Sequence, residues 1–171
     1  MKTFKQATYA LFTTVLLVSN YNCSSSKQVA FQPETSLKVD QVIFQEWYAG
    51  LKVGGTGYNI FLPSLVHNED IKVENVYFRN LTGKLVEKKG RYSAVLKNPS
   101  LFYTWEYPEK PADYPFDLAP NECVIGYQEN GQTKYHKIVN VNEKAGTYYE
   151  NGHPSLYEPQ SFPVLATVDE D

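Results

Sequence analysis

The stretch "ECVIGYQENGQTKYHKIVNV", Glu122 to Val141, decides how the chain is read. Two runs rich in Val, Ile and Tyr flank the dipeptide Asn130-Gly131. Asn-Gly accepts the positive φ angles of a tight turn between antiparallel strands, so the stretch predicts a β-hairpin. A two-residue turn places His136 on the same face as Cys123. A three-residue loop places Tyr135 there instead.

Short runs of the same kind extend on both sides. "QVIFQEWYAG" (41–50) alternates loosely, with Val42, Phe44 and Glu46 against Ile43, Gln45 and Trp47. "VENVYFRN" (73–80) sets Val73, Asn75 and Tyr77 against Glu74, Val76 and Phe78. "GKLVE", the turn "KKG" and "RYSAVLK" (83–97) predict a second hairpin, and "LFYTWEY" (101–107) a further short aromatic run. After Cys23 no window of a dozen residues carries apolar residues at helical spacing with good caps. Short strands punctuated by turns predict an all-β fold: a single antiparallel β-sandwich, Ig-like in general architecture, with a barrel as the alternative. "YPEKPADYPFDLAP" (107–120) is expected to be an extended connection, because proline lacks a ladder donor. The segment 151–171 is expected to be an extended tail.

The composition agrees with strands. Aromatic residues make up 15% of the 171 residues, and such residues suit pleated, half-buried surfaces. A net charge of −3 offers no basic face for phosphates, which argues against a nucleic-acid partner. Two cysteines are too few for a disulfide framework.

The N-terminus reads as a leader. Lys2 and Lys5 precede an uncharged, mostly apolar run from Ala7 to Val18. The run is too short for a comfortable membrane span but fits a secretory signal peptide. Residues 1–22 are therefore expected to be a lipoprotein signal, 23–40 a flexible tether and 41–171 the sandwich. Cys23 is the expected lipidation site, followed by the polar spacer "SSSK". Asn20, Tyr21 and Asn22 depart from the small residues that usually precede such a cysteine. A secreted chain with a free Cys23, or a Cys23–Cys123 disulfide, remains the alternative. Acyl chains of the palmitate kind bury about 0.8 kcal/mol per methylene, and more than one gives stable anchoring. The spacer carries no acidic export tag, which leans toward a periplasm-facing position.

Motifs for chemistry are sparse. "KVGGTGYN" lacks the Lys and Ser/Thr that a phosphate loop needs after its last glycine, and reads as a turn or bulge. His67 in "HNED" is the one histidine beside an acid-rich spot, but no metal-ligand spacing follows. No metal and no cofactor is expected. Cys123 and His136 lack a third group to orient a base, and no pair of carboxylates stands out. The expectation is therefore a protein that is not an enzyme. A hydrolase is the lowest-ranked alternative. Trp47 and Trp105 are the aromatics expected to serve a ligand platform, for a glycan or small ligand.

Three blocks, "EWYAGLKVGGTGYNIFLP", "VENVYFRNLTGKL" and "YPFDLAPNECVIGYQENGQTKYHKI", together with "NCSSSK", resemble a group of small uncharacterised lipoproteins of Bacteroidota-type bacteria. The resemblance spans Gln45 to about Ile138. It implies an envelope lipoprotein of a two-membrane cell and no catalytic residue; taken with the spacer, the expected position is lipid-anchored in the outer membrane, facing the periplasm. The expected role is a non-catalytic binding or accessory module. Its expected partners are the membrane, through the lipid anchor, and an envelope protein or glycan.

Overall fold

Three chain reversals are two-residue turns with both central residues at positive φ: Arg79-Asn80 (47° and 62°), Lys89-Gly90 (54° and 74°) and Asn130-Gly131 (51° and 73°). This geometry matches the right-handed twist of the flanking strands. The computed structural model describes residues 29–31, 37–100, 102–103 and 107–153. It contains nine strands: β1 Lys38–Ala49, β2 Thr56–Val66, β3 Ile71–Phe78, β4 Leu81–Lys84, β5 Val86–Lys88, β6 Arg91–Lys97, β7 Cys123–Glu129, β8 Gln132–Ile138 and β9 Asn142–Tyr149. There is no helix among the described residues.

The strands form two packed sheets in a β-sandwich, one ordered β5-β6-β2-β1-β9 and the other β4-β3-β7-β8. The Asn130-Gly131 hairpin has the two-residue register: Glu129 faces Gln132, Ile125 faces His136 and Cys123 faces Ile138. All neighbours are antiparallel except β1 and β9, which run parallel. The cause is the crossing at Val139–Val141. The chain leaves β8 in one sheet and continues as β9 in the other without reversing, so β9 lies alongside β1 in the same sense.

Local features separate the strands from simple alternation, and β1 shows one in its register shifts between Val39 and Ile43. β3 carries a bulge between Val73 and Asn75. An extra residue switches the inward face, so Ile71 and Val73 pack inward before the bulge and Val76 and Phe78 after it. The segment "GKLVE" does not form one strand. Leu81–Lys84 pairs with β3, whereas Val86–Lys88 pairs with β6 in the facing sheet. Leu85, buried at the crossing, joins the two.

The core lies between the sheets, around Val42, Phe44, Ile60, Leu62, Val76, Phe78, Leu96, Ile125 and Tyr127. Each such side chain contributes roughly 1.5–3 kcal/mol on burial. A second cluster covers the outer face of β3, β7 and β8. There Tyr114 and Phe116, from the proline-rich connection, pack on Val124, Tyr77 and Tyr135. That connection is extended as expected, with a turn at Ala112-Asp113.

The boundary expected at residue 41 shifts toward the N-terminus. Leu37 is 1% exposed in the core and β1 starts at Lys38. Val29 packs on the outer cluster and Phe31 stacks on Phe116 at 5.7 Å. Part of the expected tether is thus held by apolar contact. The rest of the expected tether, the expected signal segment and the tail beyond His153 lie outside the described residues.

Candidate binding surface

The two sheets end at different levels. β3 stops at Phe78, whose ring packs on Phe44 (5.0 Å) and Tyr58 (5.3 Å). β1 continues five residues past Phe44 to Ala49. At about 3.3 Å per residue this is an overhang of roughly 16 Å. Its inward face carries Glu46 and Tyr48 from β1 and Tyr148 from β9, the last two directly paired. The facing sheet does not cover this end. The Arg79-Asn80 turn does, with Phe102, Tyr103 and Tyr107 of the long connection.

Arg79 closes the gap between the sheets. Its side chain is 10% exposed and Nη1 donates to Glu46 Oε1 at 3.2 Å. Nε donates to the Pro120 carbonyl at 3.1 Å. The guanidinium carbon sits 4.4 Å from the Phe44 ring centroid, 4.9 Å from Phe78, 4.9 Å from Tyr107 and 5.1 Å from Tyr58. A planar, weakly hydrated guanidinium suits such an aromatic box better than an ammonium. The neighbouring Asn80 donates through Nδ2 to the Pro108 carbonyl at 2.9 Å. One turn therefore ties down both ends of the proline-rich connection. The backbone conformation disfavours a side chain like that of Arg at this position, since only Gly, Asn and Asp take positive φ readily. Of the three tight turns, this is the one without glycine.

The second oxygen of Glu46 accepts a hydrogen bond from Tyr48 Oη at 2.6 Å. That bond, with burial adding to it, pushes the Tyr48 hydroxyl up to about 12. Burial raises Tyr58 as well, and the Arg79 guanidinium opposes the rise. Tyr103 packs beside Tyr48 at 6.4 Å and donates through Oη to the Ala49 carbonyl. The result is a hydrogen-bonded aromatic floor with its polar groups satisfied from within.

Outward from this floor the surface turns apolar. Leu51 is 89% exposed, Phe102 81% and Tyr148 62%. Val53, Tyr103 and Tyr107 are about half exposed and stand at the same end. Most large exposed apolar side chains among the described residues gather here; single exposed ones elsewhere are ordinary.

The residues expected to serve a ligand fare differently. Trp47 is 4% exposed and points to the other face of the sheet, so it offers no open platform. Its indole lies over Gly57, the residue paired with it across β1 and β2. A Cβ on Gly57 would meet Trp47 Cζ2 at 2.7 Å and the Leu96 carbonyl oxygen. Close approach therefore explains the last glycine of "KVGGTG", while Gly54 and Gly55 take the positive φ of the turn. His153 packs against Trp47 at 4.9 Å and Tyr149 at 4.7 Å, and its Nε2 bonds Asn59 Oδ1. Trp105 and Cys23 lie outside the described residues.

Cys123 and His136 share a face, as the two-residue register requires. Cys123 is fully buried in the core and free, and burial pushes its thiol up to about 12. Such a thiol stays protonated and is a poor nucleophile. His67 bonds the Asn68 carbonyl through Nδ1 and Tyr92 Oη through Nε2, each at 2.8 Å. No group of three His, Cys, Asp or Glu side chains suited to a metal occurs among the described residues.

Sequence reasoning missed Arg79, Glu46 and Leu51. Arg79 looks like an ordinary turn residue in "FRNLTG". Its role depends on Phe44 and Tyr58, which only the packing of two sheets brings to it.

No protein-family model, curated protein or solved structure matches the chain.

Proposed function

We propose that the protein is a lipid-anchored, non-catalytic binding module of the bacterial envelope, with its binding surface at the overhanging aromatic end of the sandwich. The observation that carries this reading is the gathering of Leu51, Phe102, Tyr103, Tyr107 and Tyr148 at one end. Beneath them Arg79, Glu46 and Tyr48 satisfy one another. A rigid floor with an apolar, aromatic rim suits recognition, because its side chains lose little freedom on binding. The buried, high-pKa Cys123 supports the non-catalytic half of the reading.

The anchoring half rests on the leader-like residues 1–22 and on Cys23 with its polar spacer. Cells expressing the wild type or Cys23→Ala are labelled with radioactive fatty acid and fractionated. Label and membrane association are expected in the wild type alone. Equal labelling of both contradicts the anchor. In the same cells, Leu51→Asp with Phe102→Asp is expected to leave labelling intact while weakening recovery of envelope partners. Unchanged recovery contradicts the surface.

A further inference from the structure

We infer that the aromatic end docks on a lipid bilayer, so that the surface this module recognises is the membrane that carries its anchor. The inference rests on the binding surface proposed above and names its partner. Leu51 and Val53 stand at the tip of the β1–β2 turn, and Phe102 on the neighbouring connection; Leu51 and Phe102 are more than four-fifths exposed. Apolar tips of this kind enter the boundary between headgroups and acyl chains. Tyr103, Tyr107 and Tyr148 form a collar behind them. Tyrosine, with an apolar ring and a polar hydroxyl, favours the headgroup level. Lys52 and Lys97 are exposed beside the tips and attract anionic lipid, against one exposed acid, Glu150, beside Gly50 at the end of β9.

Chain length points the same way. Val29 is held against the outer cluster with Tyr77 and Val124, each one residue from the strand end that borders the overhang. Five residues lie between Cys23 and Val29, which makes six Cα–Cα steps. However they are arranged, they span at most about 22 Å. A lipidated Cys23 therefore keeps the sandwich within that distance of the bilayer, and the chain leaves it from the half that carries the apolar rim. One weak membrane signal gives reversible binding and two give stable attachment. The apolar tips supply the second signal.

The full chain is purified in two single-cysteine-labelled forms, Leu51→Cys at the rim and Gln132→Cys at the opposite end. Buried Cys123 is left in place, and Cys23 is either blocked by its lipid or, where mass spectrometry finds no lipid, replaced as Cys23→Ser. Nitroxide labels on each are read by electron paramagnetic resonance with vesicles of phosphatidylethanolamine and phosphatidylglycerol. The Leu51 label is expected to gain access to oxygen and lose access to a water-soluble nickel chelate, while the Gln132 label does not change. A Leu51 label that stays in water, or a Gln132 label that enters the bilayer, overturns the inference. A second arm uses the full chain with Cys23→Ser, which separates the surface from the anchor. Leu51→Asp with Phe102→Asp is expected to weaken its vesicle binding at least about tenfold with an unchanged melting temperature. Equal binding with and without these substitutions overturns the inference, as does rim-dependent capture of a glycan or a protein in place of vesicles. Rim-dependent vesicle binding together with absent fatty-acid labelling supports the inference and overturns the anchor alone.

Discussion

Arg79 Nη1 lies 3.2 Å from Glu46 Oε1, across the gap between the two sheets, at a turn residue whose φ is 47°. Backbone strain of this kind costs on the order of 1 kcal/mol and persists where the surroundings hold it. Here four aromatic rings, a carboxylate and the Pro120 carbonyl hold it. Arg79→Ala is expected to cost about 3 kcal/mol, because it leaves Glu46 without its cation and opens the end of the core. Arg79→Lys recovers part of the loss, since an ammonium lacks the planar fork. Arg79→Asn suits the positive φ and separates strain from contact: it is less costly than Arg79→Ala by about the strain relieved. Denaturant unfolding of the three variants measures this ordering.

Gly57 tests the packing of Trp47. Gly57→Ala puts a methyl group against the indole and the Leu96 carbonyl, where neither can retreat. A loss of roughly 2–4 kcal/mol is expected. Gly55→Ala meets nothing within 4 Å but sits at φ 98°, so only the backbone term applies. About 1–2 kcal/mol is expected there. Thermal melting of both variants distinguishes steric from conformational cost.

Cys123 makes stability fall in alkali. Its thiol is raised from 9.0 to about 12 by burial, so the unfolded chain loses the proton first as pH rises. The contribution is whole below about pH 9 and is lost progressively toward pH 12. Cys123→Ala is expected to flatten the alkaline limb of a stability profile. The native thiol is expected to resist a disulfide reagent at pH 8 and to react at once on unfolding.

His136 acts on the acid side. Burial lowers its pKa below the usual 6.5, so the fold favours the neutral ring. The unfolded chain takes up the proton first as pH falls. Stability is therefore full above about pH 6.5 and declines as pH drops below it, levelling off beneath the folded-state value. In His136→Gln that part of the acid limb is expected to disappear, which urea titrations between pH 7 and pH 5 check.

The strands were legible wherever a local signal set them. Asn130-Gly131 marked the turn between β7 and β8 but left two registers open, and the structure takes the two-residue one, with Cys123 and His136 on a shared face. Alternation failed where the cause is long-range. The bulge at Val73–Asn75 reverses the facing of β3 part-way along, and Leu85 carries "GKLVE" from one sheet into the other. β9 went unread because "NEKAGTYY" has little apolar alternation, and its parallel pairing depends on β1, about a hundred residues earlier. Trp47 shows the same limit at the site. Trp47 stood out as an aromatic for a ligand platform, yet Gly57 opposite it in β2 is the slot that buries it. Tyr103 and Tyr107 belonged to a run the sequence singled out. Their grouping with Leu51 and Tyr148 required the overhang.

The most direct measurement places a benzophenone amino acid at Phe102, and in a separate chain at Gln132, and irradiates intact cells. The account expects an envelope cross-link from position 102 and none from position 132, with lipid as the adduct on mass spectrometry. Cross-linking from position 132 alone, or from neither position, contradicts it.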